Sequence, residues 1–290
     1  CRIGNGDIVP LGCKVATGRV KHEKAKGLID DHINLQGGSP LAFKGAEKMG
    51  ERFVDMSAPY DLEMNSKIVL ITGGSSGIGK AIGVYLKSKD YTVYGTTRNV
   101  SKHPNFKDFK LVQMDVRDKQ SIVDGISKVL VLEKRLDVVI NNAGVGITGP
   151  LEETPNEEIL NAFDTNFNGP LNVIKSVLPI MREQKKGLII NITSIAGYMG
   201  LPYRGIYSAT KGALELVTES LRMETKPFGI DLTCLAPGDF ATNIASGRYH
   251  APIIKNSPYE KLYGDTLKSI DQDVDKGGNP IQVAKKVHQI

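Results

Sequence analysis

Tyr207 and Lys211, in the stretch "GIYSATKG", stand four residues apart. In a helix that is about one turn, so a phenol and an ammonium share one face. A positive neighbour favours the charged form of an acid, and the pair therefore suits proton transfer to or from an oxygen atom. Ser194, thirteen residues before Tyr207, closes the apolar run "GLIINITS". A second set of residues binds rather than reacts. "TGGSSGIGK" places Gly73, Gly77 and Gly79 between an apolar run and the start of a helical pattern. A tight turn there lets the first amides of a helix face a pyrophosphate.

Elements that position these residues are legible in the alternation of patterns. Short apolar runs at 67–72, 91–97, 110–116, 136–144, 187–194 and 230–238 predict strands. Helical spacing at 79–88, 119–134, 156–185 and 206–225 separates them. Apolar strands alternating with helices imply a parallel sheet covered on both faces, a doubly wound α/β domain of the Rossmann kind. Ligands in such sheets bind outside the carboxyl ends of the strands, where the glycine turn, "NNAG" (141–144) and Ser194 all fall.

The end of the second strand bears on the cofactor. A carboxylate there would accept hydrogen bonds from an adenosine ribose and repel a 2′-phosphate. The chain instead has Thr97 followed by Arg98, and a guanidinium matches a phosphate, which favours NADP(H) with NAD(H) as the alternative. Asp115, closing the third strand beside Val116, is a candidate to receive the adenine amino group.

Gly73-x-x-x-Gly77-x-Gly79, "NNAG", Ser194, Tyr207-x-x-x-Lys211 and "PG" at 237–238 together resemble the short-chain dehydrogenase/reductase family, in its compact single-domain branch, over residues 65–290. The resemblance implies an oxidoreductase that moves a hydride between NADP(H) and a carbonyl or alcohol. It makes Tyr207 the acid/base, and has Lys211 lower its pKa while holding the nicotinamide ribose. A free tyrosine titrates near ~10, too high for efficient exchange at neutral pH, which is why such a lysine is needed. Ser194 then binds the substrate oxygen, and Asn166 in "FDTNFNGP" takes the fourth catalytic position, orienting a water that links the lysine to solvent. The cofactor contacts implied are Ser75, Ser76 and Ile78 on the phosphates, and Asn142, Ala143 and Gly144 against the adenosine ribose. Pro237, Gly238, Phe240 and Thr242 would surround the carboxamide. Thr193 and Asn168 are the neighbouring rivals of Ser194 and Asn166, and Tyr203 lacks a lysine at the fourth position onward. Family members pair through the helices carrying Asn166 and Tyr207, so a homodimer or homotetramer is expected.

Candidate substrate walls are 145–150, 195–205 and 239–252, which contribute Ile195, Met199, Leu201, Phe240 and Ile244 with few charges. They suit an apolar carbonyl or alcohol, lipid-, retinoid- or steroid-like. Arg248 and His250 would instead suit an acidic headgroup. A non-catalytic NADP-binding regulator and a purine nucleoside phosphorylase remnant are the other readings.

The chain of 290 residues carries a net charge of +5. Residues 1–63 hold nine Lys/Arg and nine Asp/Glu, so the excess lies downstream and is diffuse, which fits an anionic small ligand rather than nucleic acid. Cys1, Cys13 and Cys234 follow neither a disulfide nor a metal pattern, and no stretch is apolar enough to span a bilayer, so a cytoplasmic protein without a metal is expected. Two parts are expected: an appended segment at 1–63 and an NADP-binding domain at 64–290. Residues 27–63 resemble an internal piece of purine nucleoside phosphorylases, without that family's base-binding elements, so the segment is expected to pack poorly. The opening Cys1 and the closing helical pattern "AKKVHQI" suggest a fragment, with the sheet's last strand missing.

Overall fold

Ile68, Val69, Leu70 and Ile71 form the first strand, β1 (Ile68–Ile71), and all four are buried. Ile68 and Leu70 join one apolar layer while Val69 and Ile71 join the other. That division is what a strand with both faces covered requires, and it explains the unbroken apolar run. The computed structural model describes residues 66–238, 247–275 and 278–290. The appended segment with its phosphorylase-like stretch, and also Phe240, Thr242 and Ile244, lie outside the described residues.

Six parallel strands make the main sheet. After β1 come β2 (Thr92–Thr97), β3 (Lys110–Gln113), β4 (Val138–Asn141), β6 (Gly187–Ile192) and β7 (Ile230–Leu235), in spatial order β3-β2-β1-β4-β6-β7. The order runs outward in opposite directions from β1 and β4, so their carboxyl ends form the topological switch point. Helices α2 (Lys119–Glu133) and α4 (Gly169–Glu183) cover one face, with Ile122, Ile126, Val173 and Val177 on Leu70, Val139 and Ile189. α1 (Gly77–Lys87) and α7 (Ile281–His288) cover the other, with Ile82, Leu86, Val283 and Val287 against Val69, Ile140 and Ile190. Truncating a fully buried side chain such as Ile140 to alanine costs about 2–5 kcal/mol in such a core.

Several boundaries differ from the sequence reading for a local reason. The run 136–144 is strand only to Asn141, because the amides of Asn142 and Ala143 turn away to donate to the Thr72 hydroxyl at 2.9 and 3.0 Å. The run 187–194 ends at Ile192, and Ser194 caps a 3-10 turn over Ile195–Tyr198. The expected helix 156–185 is α3 (Asn156–Phe163) joined to α4 by a π-helical turn, Asp164–Asn168, closed by the Gly169 amide on the Asp164 carbonyl. Two features have no counterpart in the sequence reading. One is a two-stranded pair, β5 (Ile147–Thr148) with β8 (Tyr249–His250); the other is α6 (Glu260–Asp275). The Tyr263 hydroxyl on α6 donates to the Thr148 and Ala251 carbonyls, each at 3.0 Å, and ties that helix to the pair.

Candidate active site

The β1–α1 turn is built around backbone. Gly73 has φ +64° and Gly77 φ +55°, conformations that favour glycine. A side chain on Gly73 would meet the Ala143 Cα at 3.0 Å. α1 begins at Gly77 after an extended Ser76 that makes no side-chain cap, so its first amides carry no capping side chain. The turn is held from β4: Asn142 Nδ2 donates to the Thr72 and Gly73 carbonyls at 2.9 and 3.2 Å. Gly79 lies beneath, where a Cβ would come 2.5 Å from that same amide nitrogen, so glycine here lets the helix close on the strand.

These groups open on a crevice of about 680 Å³ at the carboxyl ends of the strands. Gly73, Ser75, Ser76, Gly77 and Ile78 form its floor on the β1 side, and Asn142, Ala143 and Gly144 on the β4 side. Arg98, Asp115 and Val116 lie at one end; Ser194, Tyr207, Lys211, Pro237 and Gly238 lie at the other. Gly79 and Asn166 are not among its walls, and Phe240 and Thr242 lie outside the described residues. Sequence reasoning did not pick out Lys102, His103, Arg117 and Arg204, four cationic or titratable walls. The first two follow Arg98 on the turn after β2, a proximity readable in the sequence.

At the Arg98 end of the crevice Asp115 is engaged by its neighbour. Arg117 donates from Nε and Nη2 to the two carboxylate oxygens at 3.2 and 2.9 Å, and from its backbone amide at 3.0 Å. The Arg117 guanidinium holds the Asp115 carboxyl below its ordinary value, and that carboxylate in turn raises Arg117. Arg98 is exposed and forms no ion pair among the described residues. His103 Nε2 lies 3.2 Å from the Thr97 hydroxyl.

At the other end the long helix α5 (Gly205–Thr225) carries Tyr207 and Lys211, both buried. The Lys211 ammonium donates to the Ile192 carbonyl at 2.9 Å and lies 5.9 Å from the Tyr207 ring centre. Gly197 and Gly212 allow the Ser194 turn to lie flat on α5: a Cβ on Gly212 would sit 2.9 Å from the Gly197 carbonyl. The Ser194 hydroxyl oxygen accepts the Ala196 amide at 3.2 Å, which leaves its proton to donate into the crevice. Thr193 faces away, donating to the Glu215 carboxylate. Strand alternation thus separates the two hydroxyls as expected.

Asn166 is fully buried in the π turn behind this end. Its Oδ1 accepts from the Val145 amide at 2.8 Å, and its Nδ2 donates to the Val145 carbonyl at 2.9 Å and the Thr210 hydroxyl at 3.2 Å. The side chain therefore clamps the β4 loop to α5 instead of lining the crevice. Asn168, the rival, bonds only Asp164 on its own helix. Tyr203 has φ +59° and its ring rests 5.2 Å from that of Tyr263.

Arg248 and Gly247 border both this end and an adjoining cavity of about 290 Å³ lined also by Glu158, Ala162 and Tyr249. No group of His, Cys, Asp and Glu among the described residues is arranged to hold a metal ion, and no helix among them is long and apolar enough to cross a membrane.

The chain is similar to known proteins. Residues 67–252 match a family model described as short chain dehydrogenase. A 3-ketodihydrosphingosine reductase of Bacteroides thetaiotaomicron is 38% identical over 228 residues, 78% of this chain and 84% of the relative. Human retinol dehydrogenase 8 is 35% identical over 188 residues, 61% of this chain and 60% of the relative. The solved structure of ElxO with NADP bound superposes with a TM-score of 0.63 at 28% identity, covering 77% of this chain and 90% of that one. A parallel sheet reversing at β1 and β4, a glycine turn at the switch point and a match spanning all six strands lead to one conclusion: the chain belongs to the short-chain dehydrogenase family of oxidoreductases.

Proposed function

We propose that the protein is an NADP(H)-dependent reductase or dehydrogenase of an apolar, lipid-like carbonyl or alcohol, with Tyr207 as its general acid/base. The observation that carries this reading is the single crevice shared by the glycine turn, Arg98, Ser194, Tyr207 and Lys211. Its parts suit a dinucleotide phosphate: uncapped amides at the start of α1, a Gly73 whose Cβ would meet the Ala143 Cα at 3.0 Å, and exposed Arg98 and Lys102 for a 2′-phosphate. Ser75, Ser76 and Ile78 would hold the pyrophosphate, Lys211 the nicotinamide ribose, and Pro237 and Gly238 the carboxamide. The NADP in ElxO and the reductase name of the bacterial relative support the same assignment.

When bound, a reduced nicotinamide supplies a hydride, one proton with two electrons, to the carbonyl carbon. Tyr207 gives its phenolic proton to the carbonyl oxygen, which becomes the alcohol, and Ser194 donates a hydrogen bond to that oxygen throughout. Lys211 would stabilise the phenolate left behind until Tyr207 takes up a proton from solvent. Asn166 holds Val145 and Thr210 in place, keeping the β4 loop registered against α5.

For the substrate, half-buried Leu201 packs on the cluster that holds Tyr207, exposed Ile195 lies beside Gly238 of the crevice, and Met199 is an exposed apolar side chain on the same turn. The 3-ketodihydrosphingosine and retinol in the relatives' names are molecules of that character. Arg248 at the adjoining cavity favours a second reading, an amphiphile with an acidic head. A cytoplasmic homodimer or homotetramer, and a phosphorylase-derived segment at 1–63, complete the proposal. The test is NADPH consumption by the full chain across 3-ketodihydrosphingosine, retinal, a steroid ketone and an acidic lipid ketone. Turnover of long apolar ketones with NADPH preferred to NADH is expected; turnover of none of the four overturns the substrate assignment.

A further inference from the structure

Tyr207 has a second cation beside it. Arg204, the residue that caps the start of α5, places its guanidinium over the Tyr207 ring, with Cζ 5.3 Å from the centroid. That is nearer than the Lys211 ammonium at 5.9 Å. Its backbone is fixed, since the Arg204 amide donates to the Leu201 carbonyl at 3.0 Å and its carbonyl accepts the Ser208 amide at 2.9 Å. The side chain is half-buried, lines the crevice, and forms no ion pair among the described residues. No packing need or partner carboxylate accounts for a cation in that position.

Two cations are placed at the ring, Arg204 from the cap of α5 and Lys211 from α5 itself, and Arg248, which precedes β8, lines the same crevice. Glu158 of α3 lines the adjoining cavity with Tyr249. Glu215, further along α5, takes the Thr193 hydroxyl behind the sheet end. Asp115, the acidic wall of the crevice, lies at the adenine end and is held by Arg117.

We propose that Arg204 is an electrostatic positioning residue for the acid/base step: its guanidinium against the ring face stabilises Tyr207 as phenolate once the proton has gone to substrate. A cation is drawn to the negative face of an aromatic ring, and a phenolate ring is far more negative than a phenol. The interaction is therefore stronger after proton transfer than before it, which is the condition for accelerating a step. Lys211 acts from the ribose side and Arg204 from the mouth, so the two are not redundant. The inference rests on Tyr207 being the acid/base.

The test is NADPH-dependent reduction of 3-ketodihydrosphingosine by the full chain, in the wild type and in Arg204→Gln and Arg204→Lys. kcat falls about five- to thirtyfold in Arg204→Gln with little change in KM, and Arg204→Lys restores part of the loss. An unchanged kcat in Arg204→Gln overturns the inference while leaving the Tyr207 reading intact. Equal kcat values in Arg204→Lys and Arg204→Gln also overturn the inference, because a lysine keeps the charge. Full activity in Tyr207→Phe overturns the Tyr207 reading itself.

Discussion

The two ends of the crevice hold positive charge in opposite ways. At the adenine end Arg98 and Lys102 are exposed on a turn after β2, and Asp115 sits among them tied to Arg117. At the catalytic end Lys211 is 5% exposed and bonded to the Ile192 carbonyl, and half-buried Arg204 covers the Tyr207 ring. Charges in water are screened within about 8 Å at physiological salt, so the first group can recognise a phosphate but cannot perturb chemistry far away. Charges withdrawn from water act more strongly on whatever they face, so the second group can favour one protonation state over another. On the proposed reading, cofactor selection and catalysis fall to opposite ends of one cleft.

Breaking the catalytic end should have the largest effect. Lys211→Met removes a buried ammonium, and turnover should fall about a thousandfold, within the range of acid–base assistance. NADPH binding followed by fluorescence and the melting temperature would separate that loss from unfolding. At the adenine end Arg98→Ser removes charge-assisted bonds, and the preference for NADPH over NADH in KM should fall about ten- to a hundredfold while kcat holds. An unchanged ratio would return the choice between NADP and NAD to other residues.

A smaller effect is expected away from both ends. Tyr263 donates its single proton to two carbonyls and anchors α6 to the β5–β8 pair that carries Arg248 toward the crevice. Tyr263→Phe should cost about 1 kcal/mol, read by urea denaturation. Burial pushes this phenol up to about 12. A raised value in the folded state gives stability that is complete below the ordinary ~10 and is lost as pH rises through about 12. Wild-type stability should therefore decline across that window more steeply than that of Tyr263→Phe.

Much of the scaffold was legible because its physics is local. Unbroken β-branched runs such as 68–71 need burial on both faces, and Gly73 and Gly77 need positive φ, so strand and turn were readable from residue types alone. That Tyr207 and Lys211 share one helical face was readable because four residues make a turn. What escaped depends on contacts between segments far apart. Gly197 and Gly212 look like ordinary loop and helix glycines until the Ser194 turn is laid on α5. β5 and β8 are two residues each, too short for any period, and their pairing joins positions about a hundred apart. The π turn that holds Asn166 escaped because it joins two helical stretches without a proline or glycine break inside Asp164–Asn168 to mark it. Arg204 escaped because a single arginine before a helix reads as a surface charge, and only the ring beneath it gives it a role.

The central claim is that Tyr207 supplies the proton, and single-turnover reduction of 3-ketodihydrosphingosine by the NADPH-loaded full chain tests it most directly. Nicotinamide absorbance should decay in the wild type, and at least about a hundredfold more slowly in Tyr207→Phe, with NADPH affinity unchanged. Decay at the wild-type rate in Tyr207→Phe would contradict the account.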